Sequence, residues 1–208
     1  MPNTVSRASV SSRVATPPCS SPSPATARCS TADASRSPNR GCRRTPHHHE
    51  GSWAVGRYLN TPGARAISLA DAVALVERVR SSAASCARQC LDALAAGVSV
   101  PIEGVAIRVC PEMPVTVEAR IVDARAQTYA DSVMYREALA AAATARGWRV
   151  HWYDRETVFR DAAVALRRDD LDGLLREMGR SAGPPWQAAH KLAVAAALAA
   201  PRTAEAGR

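Results

Sequence analysis

The sequence predicts an α/β domain in which a short, mostly parallel sheet is flanked by helices. Apolar and polar residues alternate over residues 105–110 and 148–153, and a period of two is typical of a strand. Between them, residues 115–146 carry apolar residues on one face, which predicts one long helix. A crossover of this length indicates that the two strands run parallel, with a right-handed connection.

The chain before this domain has a different composition. Residues 1–50 contain ten Ser, seven Pro and five Thr, and their only large aliphatic residues are one Met and three Val. Such a segment cannot bury enough apolar surface to offset the entropy of ordering it. We therefore expect a disordered tail at 1–50, one α/β domain at 53–200 and a disordered C-terminus at 201–208. An organelle transit peptide, or translation of an upstream or shifted frame, is an alternative explanation of the tail.

The positive charge of the chain is concentrated in this tail. The formal net charge is +8, and residues 1–50 hold seven Arg against two acidic residues. Lys191 is the only lysine, and Ala is abundant, so codon bias is a sufficient explanation of the arginines. Nucleic acid therefore stays a candidate partner.

Neither a secretory signal nor a membrane span is expected. No apolar segment precedes a cleavage site of small residues, and no run of about 18 apolar residues is free of charge. We expect a cytoplasmic protein with reduced thiols and no membrane partner. Cys86 and Cys90, one helical turn apart, could form half of a metal site with Cys110, but packing in the core is the favoured role of the pair.

The domain begins with a candidate third strand and a well-marked helix. The candidate strand is residues 53–59, WAVGRYL, and a Pro-Gly pair ends it. Ser68 then predicts a helix N-cap with Asp71 three residues later, and apolar residues recur at helical spacing as far as Gly97. Gly97 is the predicted helix end.

Three further helices are predicted after the second strand. Asp154 is the predicted cap of the first of them, and Asp170 is the predicted cap of a short helix that ends at Gly179. A Pro-Pro pair leads into the last helix, residues 186–200, which is apolar nearly all round and is expected to be largely buried.

Two acidic residues follow the predicted strands. Glu112 lies in the turn 110–114 and Asp154 comes directly after the second strand. Because ligands bind beyond the carboxyl ends of parallel strands, these carboxylates are expected to share a crevice. The competing roles are a helix N-cap for Asp154 and a solvated loop position for Glu112, and both are favoured.

Histidines supply the remaining candidates. His190 lies in the apolar last helix beside Lys191, where it is a core residue, a metal ligand or a general base. The adjacent His47, His48 and His49 are more consistent with chance or a loose metal contact than with a specific site, because neighbouring side chains in a loop cannot all face one ion.

The order of these elements resembles the later part of the ribonuclease H-like fold, in particular the Holliday-junction resolvase group. Residues 53–59 would be the third strand of that fold, and residues 188–198, AAHKLAVAAAL, resemble the Ala/Leu-rich helix that ends it. The resemblance covers residues 53–200 and implies an incomplete ribonuclease H-like domain. Such nucleases hold two divalent metals with carboxylates, so it implies Mg²⁺ with Glu112 and His190 as metal-binding and catalytic residues.

The sequence departs from that family at its metal ligands. Arg108 stands near the strand end where a carboxylate is expected, and nothing in residues 1–50 indicates a first strand carrying an Asp. The leading hypothesis is therefore a truncated or degenerate nuclease-related domain that is inactive, with no cofactor expected. The alternative is a small α/β protein-interaction module with no nucleic-acid role. Missing strands would leave an open sheet edge, so self-association through that edge is also expected.

Overall fold

The computed structural model describes residues 45–200, which form seven α-helices and one two-stranded sheet. The predicted tail before Thr45 and the predicted C-terminal segment 201–208 lie outside the described residues. In chain order the elements are a π-helical turn His47–Gly51, α1 Ser52–Ala54, α2 Leu69–Gly97, β1 Gly104–Arg108, α3 Val117–Val122, α4 Ala124–Thr144, β2 Arg149–Tyr153, α5 Val158–Leu166, α6 Leu171–Ala182 and α7 Ala188–Ala199.

The sheet confirms the predicted parallel crossover. β1 pairs with β2 in parallel, from Gly104 opposite Arg149 to Arg108 opposite Tyr153. The connection between them contains α3 and α4. Parallel strands occur in sheets that are covered on both faces, and here both faces are covered by helices.

Alternation along β1 directs its side chains into two different helical layers. Val105 and Ile107 pack with Leu91 of α2 and with the C-terminal half of α4. Ala106, on the other face, packs against α5, α6 and α7. A third cluster lies away from the sheet and joins α2, α3 and α4 around Val76, Ile121 and Met134. The result is a narrow sheet between two helical layers.

The start of the domain differs from both predictions made for it. Residues 45–50, assigned to the disordered tail, include a buried Pro46 and a π-helical turn with a buried His47. Residues 53–59 form no strand. Ser52–Ala54 is helical, Gly56 and Tyr58 have positive φ angles, and Trp53 is buried while Tyr58 is exposed. A strand at the edge of the sheet would bury alternate residues on one face. The apolar residues of WAVGRYL do not show this pattern of burial.

Three helix boundaries were also wrong in the prediction, and one of them is the end of α6, which continues past the predicted Gly179 to Ala182. The single helix at 115–146 is two helices, because Asp123 adopts an extended backbone and its carboxylate accepts a hydrogen bond from Ala126 N. Asp154 is not the N-cap of α5, which begins after Thr157. The Asp154 carboxylate instead accepts from Glu156 N within the preceding turn.

Other local predictions are confirmed. The Ser68 hydroxyl accepts from Asp71 N at 3.0 Å, and the Asp170 carboxylate accepts from Gly173 N at 2.7 Å, so both residues cap their helices. α2 ends at Gly97 as predicted.

The prediction for the last helix was wrong in two respects. This helix starts two residues later than predicted, and it is mostly half-buried rather than largely buried, with only Ala195 and Ala196 fully buried.

Candidate functional site

The two backbone hydrogen bonds at the ends of the sheet define which groups of β2 face β1. Arg149 N donates to Glu103 O, and Val109 N donates to Tyr153 O, each at 2.9 Å. In a parallel ladder every second residue of a strand bonds to the same neighbour. Arg149, His151 and Tyr153 therefore direct their backbone groups toward β1.

The intervening residues of β2 direct their backbone groups the other way. Val150 and Trp152 point their N–H and C=O groups away from β1, and within residues 45–200 no second strand pairs with them there. Trp152 is 42% exposed although it belongs to a strand, and Val150 is half-buried. This row of groups, which we call the β2 edge, is a template for pairing with a further strand.

The opposite edge of the sheet is less accessible. Gly104 and Ala106 face away from β2 by the same alternation, and both are buried. Ala106 belongs to the cluster that contains Ala195 and Ala196 of α7, so helical side chains shield this side. An incoming strand therefore finds its accessible backbone at β2.

One titratable side chain lies in the centre of β2. Burial lowers the pKa of His151 below its ordinary value, and the nearby carboxylate of Asp161 opposes this shift without cancelling it. A partly buried imidazole without a sufficient counter-charge prefers its neutral form. His151 is therefore neutral at pH 7.

This shift predicts that acid destabilises the fold through His151. The pKa is lower in the folded chain, so the unfolded chain binds more protons in the intervening pH range. The stabilisation is complete above about pH 6.5, the ordinary pKa of histidine, and is lost as the pH falls through the lowered pKa. Urea unfolding between about pH 5 and 7.5 should show a smaller pH dependence in His151→Gln than in the parent. The exposed His48→Gln serves as the control, and equal profiles for both variants would contradict the prediction.

The structure does not bring the two predicted metal ligands into contact. Glu112 is exposed in the loop after β1. His190 lies in the first turn of α7, where its Nδ1 accepts from Gln187 N at 3.1 Å and its ring stacks on Trp186 with centroids 6.0 Å apart. Among residues 45–200, no hydrogen bond, ion pair or ring contact joins Glu112 to His190. The visible role of His190 is to cap α7.

The other predicted candidates are also separate. Arg108 and Asp154 are exposed at the carboxyl ends of the strands. Cys86 and Cys110 are free thiols and Cys90 is half-buried. Cys86 is exposed, so its predicted core packing is wrong. Within the described part of the chain, no group of three His, Cys, Asp or Glu side chains is placed to hold a metal ion. None of the helices described there is long and apolar enough to cross a membrane.

Sequence reasoning missed a buried polar network that fastens the start of the domain to α4. Both oxygens of the Asp131 carboxylate are used: Oδ1 contacts His47 N at 3.1 Å and His47 Nδ1 at 2.9 Å, and Oδ2 accepts from His48 N at 3.0 Å. His47 is 1% exposed, which places its ring out of reach of any substrate. This network is therefore structural.

A second part of the network lies one helical turn earlier on α4. Gln127 Oε1 accepts from the Ser52 hydroxyl at 2.7 Å and from Arg57 at 3.2 Å, and Arg57 also donates to Val122 O at 2.8 Å. The signal for this network was present in the sequence, because Gln127 and Asp131 interrupt the apolar stripe of α4 four residues apart. Polar residues on a buried helix face need partners.

The described geometry thus presents one open structural feature, the β2 edge, and no assembled catalytic group. Comparisons with protein-family models, with curated proteins and with solved structures find no match to this chain.

Proposed function

We propose that this domain is a protein-interaction module whose binding surface is the β2 edge. An extended segment of another polypeptide adds there as a new strand, and self-association is the simplest case. The observation that carries the proposal is the outward row of backbone groups at Val150 and Trp152, combined with the exposure of Trp152. Main-chain hydrogen bonds supply affinity in this mode of recognition, and the side chains beside the strand supply specificity.

The charge of the described residues supports a polypeptide partner over a nucleic acid. Residues 45–200 contain eighteen Arg and Lys residues against seventeen Asp and Glu residues. Nucleic-acid affinity depends mainly on neutralising phosphates with clustered cations. A nearly balanced domain has little net attraction for phosphates, whereas an open strand needs only backbone pairing and apolar side chains.

The size of the sheet also supports the proposal. A sheet of two strands is marginal alone, and most sheets have four to six strands. Added strands would extend a layer whose two faces are already covered by helices. The module would then gain main-chain hydrogen bonds and cover the exposed side chain of Trp152.

The proposal predicts that a charge on the β2 edge weakens self-association of the full chain. Trp152→Lys places an ammonium group where an incoming strand would pack, and edge lysines disfavour pairing. We expect the dissociation constant measured by sedimentation equilibrium to rise at least about tenfold. Pairing would lose an aromatic cross-strand contact and would also have to desolvate the lysine charge.

Val164→Lys is the matched control. Val164 is 72% exposed on α5, so the same change in charge and polarity occurs away from the edge. Its dissociation constant should equal that of the parent. A parent that stays monomeric at high concentration, or a Trp152→Lys variant that associates as tightly as the parent, would refute self-association through the β2 edge.

The resemblance to ribonuclease H-like nucleases remains the competing proposal, as an incomplete domain without activity. It is supported by the parallel crossover of β1 and β2 and by an Ala-rich final helix packed near β1. The discriminating assay is cleavage of branched DNA and of an RNA–DNA hybrid with Mg²⁺ or Mn²⁺. Cleavage that disappears in the double variant Glu112→Gln, His190→Ala would favour an active nuclease over both proposals.

A further inference from the structure

We propose that the strand added at this edge is β2 of a second copy of the chain, running antiparallel about a two-fold axis through His151. This inference rests on the proposed function and names its partner. β2 is a five-residue strand with His151 at its centre. Antiparallel pairing about that residue overlaps the whole strand with itself, and no other register does.

The direction of the backbone N–H and C=O groups along β2 fits this pairing. In an antiparallel pair, residues whose groups face the partner exchange both their hydrogen bonds. Val150 of one copy would face Trp152 of the second copy, and Trp152 would face Val150 of the second copy. About four hydrogen bonds would form, and they would use the outward groups that lack a strand partner within residues 45–200.

The side chains in this register are compatible on both faces. Two Val–Trp pairs form on the face that also carries Trp148, and pairs of a β-branched with an aromatic residue stabilise antiparallel sheets. On the other face Arg149 lies opposite Tyr153 of the second copy, where a guanidinium can stack on a phenol ring. The exposed part of Trp152 would thus be covered by Val150 of the second copy.

The neighbouring registers are less favourable. An axis through Trp152 places Arg149 opposite Arg155 of the second copy, and like charges directly opposite are destabilising. An axis through Val150 brings Trp148 into the pair, but Trp148 N already donates to Ala143 O at 3.0 Å. Two His151 rings meet on the proposed axis, and their neutral state at pH 7 removes repulsion between them.

The resulting dimer has a four-stranded sheet that is continuous across the axis. The two copies bury their β2 edges in each other, so the association is closed and does not continue into a filament. The outer edges of this sheet are the two β1 strands, whose Gly104 and Ala106 are already buried. The dimer therefore leaves no accessible strand for further addition.

Single-cysteine variants of the full chain test the axis directly. They are made in a background with the six native cysteines replaced by serine, and a thermal melt establishes that each variant is folded. Facing residues in a non-hydrogen-bonded antiparallel pair have Cα atoms about 4.5 Å apart, within disulfide range. Under mild oxidation His151→Cys should form a disulfide-linked dimer at least about fivefold faster than Val150→Cys or Trp152→Cys, whose Cα atoms would lie about 7–8 Å from their mates.

A mixture of Arg149→Cys and Tyr153→Cys chains gives a second measurement that does not require substitution of His151. The mixed disulfide should form, and neither variant should link to itself. Faster linking at position 150 or 152, self-linking of either mixed variant, or no linking at all would overturn the proposed dimer. If Trp152→Lys still weakens association in that case, the edge remains the binding surface and only the partner or register is wrong.

Discussion

Replacing Gly104 by alanine is expected to disrupt the sheet and to lower the free energy of unfolding by about 3 kcal/mol, the upper part of the range for overpacked sites. A Cβ atom at this position would lie 2.5 Å from the carbonyl oxygen of Arg149 in β2. The obstructing atom belongs to the backbone, so no side-chain rotation relieves the clash. The strands must separate where Arg149 N now donates to Glu103 O.

Urea unfolding measured by far-UV circular dichroism checks this expectation. Gly97→Ala is the control, because a Cβ atom there meets nothing within 4 Å and the residue ends α2. This variant should differ from the parent by less than about 1 kcal/mol, the propensity difference between glycine and alanine in a helix. Equal stability of the two variants would show that the strands do not approach as closely as the structure describes.

The second large effect is expected from Asp131→Ala. This change removes the acceptor for two backbone N–H groups and for the His47 ring, all in a buried region. Because these donors would stay buried without a partner, we expect a loss of about 3 kcal/mol in the free energy of unfolding. The start of the domain should also detach from α4 more often, since the contacts of His47 and His48 with Asp131 are lost and those of Ser52 and Arg57 with Gln127 remain.

Two measurements separate local detachment from global unfolding. Limited trypsin digestion should cleave after Arg57 faster in Asp131→Ala than in the parent, and urea unfolding reports the global change. Asp172→Asn removes a carboxylate charge from an exposed helix position and should leave both readouts nearly unchanged. Unaltered cleavage after Arg57 together with unaltered stability would contradict the proposed role of Asp131.

Local signals accounted for much of the helical layer. The caps at Ser68 and Asp170 and the helix end at Gly97 depend on residues within a few positions of each other, so the sequence contains them directly. The break between α3 and α4 at Asp123 also depends on a local cap, but the helical spacing of apolar residues continues across it and hid the cap. At Asp154 the local signal was misleading. This Asp precedes α5 by about one turn, and its carboxylate accepts a hydrogen bond within the preceding turn instead of capping the helix.

The candidate site depended on longer-range information. The expectation for Glu112 and His190 rests on their positions after a strand and in the last helix, together with the family resemblance. The described contacts give His190 a capping role and leave Glu112 exposed. The β2 edge was anticipated only as a consequence of missing strands. Its location at Val150 and Trp152 needed the register of the ladder, which two separate five-residue strands do not encode by themselves.

By itself the sequence determined the parallel crossover of two strands, because alternation marks each strand and the length of the connection excludes a hairpin. Only the tertiary structure decided that residues 47–54 are helical and packed on α4. Their order depends on Asp131 and Gln127, which lie 75 to 84 positions away along the chain. The composition of a segment indicates only how much apolar surface that segment can bury by itself. A local sequence pattern cannot include partners this far away along the chain. The accessible edge of the sheet was decided in the same way, by helices that shield β1 and leave β2 open.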